Sequence, residues 1–142
     1  MNVNLEQARA IIATALVHRQ NKGYEPMAVI VLDSGGHAVA FEREDGASNM
    51  RYQIAFGKAH GALAFGMGSR ALGRRAEVQP AFIAAAGSAI GGALIPVPGG
   101  VLIRDKNWKI VGSVGVTGDT SDNDEDAAIA GIETVGLTAD AG

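Results

Sequence analysis

The first stretch of the chain is patterned as a helix. Asn4 is followed three residues later by Gln7 in the form of a capping box, and Leu5, Ala8, Ile12, Ala15 and Leu16 fall on one helical face. The spacing predicts a helix to about Asn21, stopped by Gly23 and Pro26. Met27 to Leu32 is a continuous apolar run rich in Val and Ile, Asp33-Ser34-Gly35-Gly36 offers a turn, and His37 to Glu44 alternates apolar with polar. Together they predict a hairpin, with a loop at Asp45-Gly46.

From Tyr52 to Met67, residues Ile54, Ala55, Ala59, Ala62, Leu63 and Gly66 recur at helical spacing, interrupted by Gly57 and Gly61. Glycine inside a helix costs about 0.5–1 kcal/mol relative to alanine, so these positions imply that something packs closely against the backbone. Gly87 and Gly91 imply the same for a third helix, Pro80 to about Ile90. Such faces suit close packing within a subunit or between subunits. Val101 to Arg104 and Lys109 to Val116 read as a second hairpin around Asp105-Lys106-Asn107. A last helix begins at Thr120-Ser121-Asp122 and runs to about Val135, with an acidic first turn that the helix dipole favours.

This order predicts one α+β domain over residues 1–142, an antiparallel sheet of about five strands flanked by helices. A length of 142 residues suits a single core and leaves no room for a second full domain. Twelve basic side chains against fifteen acidic ones give a net charge of -3, with Lys and Arg scattered, which argues against a nucleic-acid partner. The absence of cysteine excludes disulfides, cysteine-ligated metals and cysteine nucleophiles. The first ten residues lack the basic-then-apolar order of a secretory signal, so a cytoplasmic location is expected. Val78 to Ile103 carries no charge, yet Gly91-Gly92, Pro96, Pro98 and Gly99-Gly100 would break any membrane-spanning helix there.

Several groups are candidates for chemistry. Asp122, Asp124, Asp126 and Glu133 match positions one, three, five and twelve of an EF-hand loop, but Ala127 stands where that loop needs glycine, and a capped helix start explains the run better. His18 and His37 sit among polar turn residues. His60 lies two residues after Lys58 in a helix of alanine, glycine and apolar residues, and is the histidine placed to enter a pocket. Pro96-Val97-Pro98-Gly99-Gly100 makes a rigid approach followed by a backbone that a ligand can approach closely, or simply a structural turn. Arg70, Arg74 and Arg75 suit the carboxylates of an anionic ligand, or a solvated face. Gly112, Gly115 and Gly118 have the wrong spacing for dinucleotide binding.

Four motifs in order carry a resemblance. They are Val31 to Gly36 with Arg43-Glu44-Asp45-Gly46-Ala47, then Ile54 to Ala59, then Pro98-Gly99-Gly100-Val101, then Gly112 to Gly118 leading to Asp124-Glu125-Asp126-Ala127. The chain resembles the GlcG/HbpS-like haem-binding-protein family, which includes the carboxy-terminal domain of PduO-type cobalamin adenosyltransferases. The resemblance implies a profilin-like layering of helices on the sheet, homo-oligomers from dimer to octamer, and a small-molecule pocket near a subunit interface. Carried onto this chain, the ligand-binding candidates are Arg43, Asp45, Lys58, His60, Pro98, Gly99, Gly100, Asp124 and Glu125. The chain departs from the family pattern at Lys58-Ala59-His60-Gly61-Ala62, which gains an imidazole and loses a hydroxyl, at Leu102 and at Glu44.

Three functions follow as expectations. The first is binding of haem or a related tetrapyrrole, with His60 as candidate axial ligand, no other metal site, and the arginines as propionate partners. The second is a cofactor-independent catabolic isomerase, lyase or hydrolase acting on a small carboxylate. There Lys58 and His60 would be acid and base, Glu125 with Asp124 would orient a partner, and amides near Gly99 would stabilise an oxyanion. The third is a structural or regulatory oligomer.

Overall fold

Asn4 caps the first helix in the computed structural model, which describes residues 1–142. Its side chain accepts the Gln7 amide at 2.8 Å while the Gln7 side chain accepts the Asn4 amide at 3.1 Å. Helix α1 (Leu5–Lys22) ends at Gly23, whose φ of 71° supplies the left-handed turn. The hairpin follows as β1 (Ala28–Asp33) and β2 (Ala38–Arg43). Three helices come next, α2 (Arg51–Phe65), α3 (Ser69–Val78) and α4 (Pro80–Ala89). The second hairpin is β3 (Gly100–Arg104) and β4 (Ile110–Thr117), followed by α5 (Ser121–Thr134) and a short β5 (Thr138–Asp140).

All strand pairs are antiparallel and the sheet order is β2-β1-β4-β3-β5. The alternation of side chains along each strand divides the interior into two layers. Val29, Val31, Val101, Ile103, Val114 and Val116 meet Ile11 and Ile12 of α1 and Ala127, Ala128 and Ile132 of α5. On the other face Ile30 and Leu32 meet Ala55 and Ala59 of α2. Two strand glycines let α2 lie close. A Cβ on Gly115 would run into the Ala55 carbonyl, and one on Gly100 into the Lys58 carbonyl.

The glycines inside α2 serve packing within the chain. A Cβ on Gly57 would stand 2.5 Å from Ile95 Cγ1, and one on Gly61 would stand 2.6 Å from Leu94 Cδ1. The segment after α4 therefore lies across the outer side of α2, with the Ile95 amide donating to the Gly57 carbonyl at 3.2 Å. The sequence pattern did not announce α3 or β5. Helix α3 is short and mostly polar, with only Ser69 and Leu72 in the interior, and β5 has three residues. No helix is long and apolar enough to cross a membrane.

Candidate functional site

Helix α2 crosses the sheet face from one end of the strands to the other. Near its start, Arg51 donates to the Thr117 hydroxyl at the end of β4 at 2.8 Å. At its far end His60, Leu63 and Ala64 meet Ser34, Gly35 and Gly36 of the β1–β2 turn. Side chains in a helix lean toward its N-terminus, so Lys58 reaches back toward the β4 end. There Nζ donates to the Val116 carbonyl and to Asp124 Oδ2, each at 3.0 Å. Asp124 stands in the first turn of α5, and its Oδ1 accepts the Asp119 amide at 2.9 Å.

The two partners are 2% exposed each. Burial pushes the Lys58 ammonium below the ordinary lysine range, against the charge and hydrogen bond of Asp124. Burial likewise pushes the Asp124 carboxyl up, against the Lys58 charge and the amides of Asp119 and Gly118. Gly99, at φ 123°, forms the wall beside them, where a Cβ would lie 2.8 Å from Nζ. Gly100 is fixed by Ser69, whose hydroxyl accepts its amide at 2.7 Å and donates to its carbonyl at 3.2 Å. Lys58 lines no cavity, so this pair fastens α2, β4 and α5 together.

Beyond that wall, Glu125 faces Arg70 of α3 at 3.0 Å, and Asp122 also pairs with Arg70. A groove of about 420 Å³ lies alongside, lined by Arg70, Gly73, Arg74, Glu77, Pro96, Val97 and Pro98. Arg75 instead stacks over Phe82 at 4.5 Å from the ring centre. The acidic run of α5 points in three directions. Asp122 goes to Arg70, Asp124 to Lys58, and Asp126 accepts from His18 Nε2 and the Tyr24 hydroxyl, both at 2.8 Å.

His60, two residues further along α2, points instead toward the β1–β2 turn. Its Nδ1 stands 3.1 Å from the Ala93 carbonyl. A carbonyl has no proton to give, so Nδ1 is the donor and Nε2 of the neutral ring keeps its lone pair. That lone pair has no protein donor and borders a cavity of about 150 Å³ lined by Ser34, Gly35, Gly36, His60, Leu63 and Ala64. Phe56 stacks on the imidazole with centroids 5.2 Å apart, and Tyr52 and Phe41 continue the aromatic row.

The residues singled out in the sequence thus separate. Lys58, Asp124, Gly99 and Gly100 meet at the buried pair, Glu125 and Pro98 stand on the α3 side of it, and His60 stands apart. Arg43 and Asp45 are exposed, Arg43 donating only to the Ala47 carbonyl at 3.1 Å. Lys58 and His60 share no space, being two positions apart on one helix and turned to opposite ends of the sheet. No arginine lines the His60 cavity. No residue pattern marked Ser69 or the Ala93 carbonyl, because each acts through contacts more than thirty residues away along the chain.

Solved structures share this architecture. A complex of PduOC with haem has a TM-score of 0.85 at 20% identity, covering 96% of this chain and 97% of that one. A double mutant of Streptomyces reticuli HbpS gives 0.81 at 25% identity, covering 95% and 88%. Klebsiella pneumoniae protein ORFY gives 0.80 at 23% identity, covering 92% and 88%. No curated protein matches the sequence. Residues 3–133 match the model of the family described as haem degrading protein HbpS-like, and the chain belongs to that family.

Proposed function

We propose that the protein binds haem or a related tetrapyrrole, with His60 as the axial ligand. The observation that carries this reading is the bare Nε2 of His60, held toward a cavity by the bond from Nδ1 to the Ala93 carbonyl. Metal-bound histidines characteristically donate their other ring nitrogen to a carbonyl or carboxylate in this way. Leu63 and Ala64 offer apolar contact beside the nitrogen, and Phe56 holds the ring from turning. Family membership and the likeness to a haem complex support the same reading.

These residues fit a planar macrocycle at one edge. Pockets that enclose a drug-sized ligand measure about 300–1,000 Å³. A cavity of about 150 Å³ is smaller, so His60, Leu63 and Ala64 would hold only part of the group and leave a face uncovered. A homo-oligomer in the cytoplasm, with a second copy covering that face, completes the proposal. Bound haem supplies a redox-active iron. The chain supplies the lone pair, the fixed tautomer and the apolar contact, while Arg70 and Arg75 are engaged elsewhere.

The test is an absorbance titration with haemin, run beside His60→Ala. A saturable Soret band that the substitution abolishes or shifts supports the reading. A merely additive spectrum overturns it, and an unchanged spectrum in the mutant removes His60 as ligand.

A further inference from the structure

The Ala93 carbonyl reaches His60 because of what is missing one residue further along α2. At Gly61 the helix has no side chain, and Leu94 fills the space. A Cβ there would stand 2.6 Å from Leu94 Cδ1, 3.3 Å from Leu94 Cα and 3.7 Å from the Ala93 oxygen. Leu94 packs with Leu72 and Ile83 and also borders an open cavity of about 450 Å³, so a methyl at position 61 would drive it, with the segment that carries it, toward that cavity and away from α2. Its amide is held by the Gly92 carbonyl at 3.0 Å, and the next amide, of Ile95, by Gly57 at 3.2 Å. Gly57 is itself closed to any side chain by Ile95.

We propose that Gly61 and Leu94 are positioning residues for His60. They seat the segment from Ala93 to Ile95 on α2 so that the Ala93 carbonyl selects the tautomer with its hydrogen on Nδ1. The imidazole at position 60 and the absent side chain at 61 are then two parts of one arrangement. The role of that tautomer in ligand binding rests on the tetrapyrrole reading above, whereas the tautomer itself does not.

The test compares wild type, Gly61→Ala, and Gly61→Ala combined with Leu94→Ala, which removes the atom the new methyl would strike. Imidazole ¹⁵N shifts of haem-free protein at pH 8 report which ring nitrogen carries the hydrogen, and haemin titration reports affinity. Circular dichroism checks that each variant is folded. Wild type is expected to show a protonated Nδ1 and a bare Nε2. Gly61→Ala should move the population toward the opposite tautomer and weaken haemin by about tenfold, the lower end of the effect of removing an outer partner of a metal-bound histidine. The double variant should restore both. An unaltered tautomer in folded Gly61→Ala overturns the proposal. A shifted and rescued tautomer with haemin binding absent throughout upholds the positioning role and removes the tetrapyrrole reading instead.

Discussion

Nζ of Lys58 stands 3.0 Å from Oδ2 of Asp124, and each side chain keeps 2% of its surface exposed. Removing one partner leaves the other charge, or its neutralised remnant, without water or counter-charge. Breaking a buried pair of this kind costs about 3–5 kcal/mol, whereas replacing both members by apolar groups is often close to neutral. Lys58→Met and Asp124→Asn are each expected to lower stability by that amount in urea unfolding. Lys58→Met with Asp124→Leu should recover most of the loss. A double variant that loses the sum of the two single effects would show that the side chains act independently.

Acid should unfold the protein through a different set of carboxylates. Burial works to raise the Glu44 pKa, but the two hydrogen bonds from Arg19 and the Met27 amide outweigh it and hold the carboxyl below its ordinary range. The Asp119 carboxyl is held low by the amides of Glu25 and Thr120 and by Asn123. A carboxylate with a depressed folded-state pKa contributes stability that is present above its unfolded value, about 4, and disappears as pH falls through the folded value. Stability is therefore expected to hold as pH falls from 7 to 5 and to decline below about 4. Glu44→Gln should lower the plateau and lessen the decline, read from urea midpoints across pH. An identical slope in the variant would remove Glu44 from the acid transition.

The local elements were legible where one signal sufficed. The Asn4–Gln7 box, the Asp33–Gly36 turn and the Thr120 cap each declared an element edge that the structure reproduces to within a residue or two. Glycines in α2 announced close packing correctly, but not that Leu94 and Ile95 were the partners. Side-chain direction was the harder part. Lys58 and His60 look like neighbours in sequence, yet a helix turns roughly 100° per residue, and only the position of β4 and the β1–β2 turn decides where each points. The tautomer of His60 depends on a main-chain carbonyl 33 residues away, which no residue type encodes.

Two glycines separate steric need from conformational need. At Gly100 a Cβ would meet the Lys58 carbonyl and come within 2.9 Å of Ser69 Oγ, so Gly100→Ala should force α2 off the sheet and cost about 1–3 kcal/mol. Gly91 has φ 88° and open space around it, so Gly91→Ala carries only the left-handed backbone penalty of about 1–2 kcal/mol. The distinguishing measurement is the environment of Lys58. Gly100→Ala should shift the Lys58 and Asp124 resonances, and Gly91→Ala should leave them in place. Equal shifts in both would refute the steric account.

Helix α3 should loosen without the whole fold following. It is tied to α5 by Arg70, which reaches Glu125 at 3.0 Å and also Asp122, and to the sheet by Ser69 on Gly100 and Leu72 in a small apolar cluster. Arg70 is 37% exposed and Asp122 76% exposed, so water and salt screen much of their attraction. Exposed pairs of this sort contribute about 0.2–1 kcal/mol. Arg70→Ala is therefore expected to leave the global unfolding midpoint nearly unchanged while amide exchange in α3 speeds up several-fold, and added salt should produce a smaller version of the same change in wild type. The amides of β1 and β4, in the centre of the sheet, should keep their protection. Faster exchange throughout the molecule would mean instead that the Arg70 bridge holds the domain as a whole, with α3 an integral part of its cooperative core.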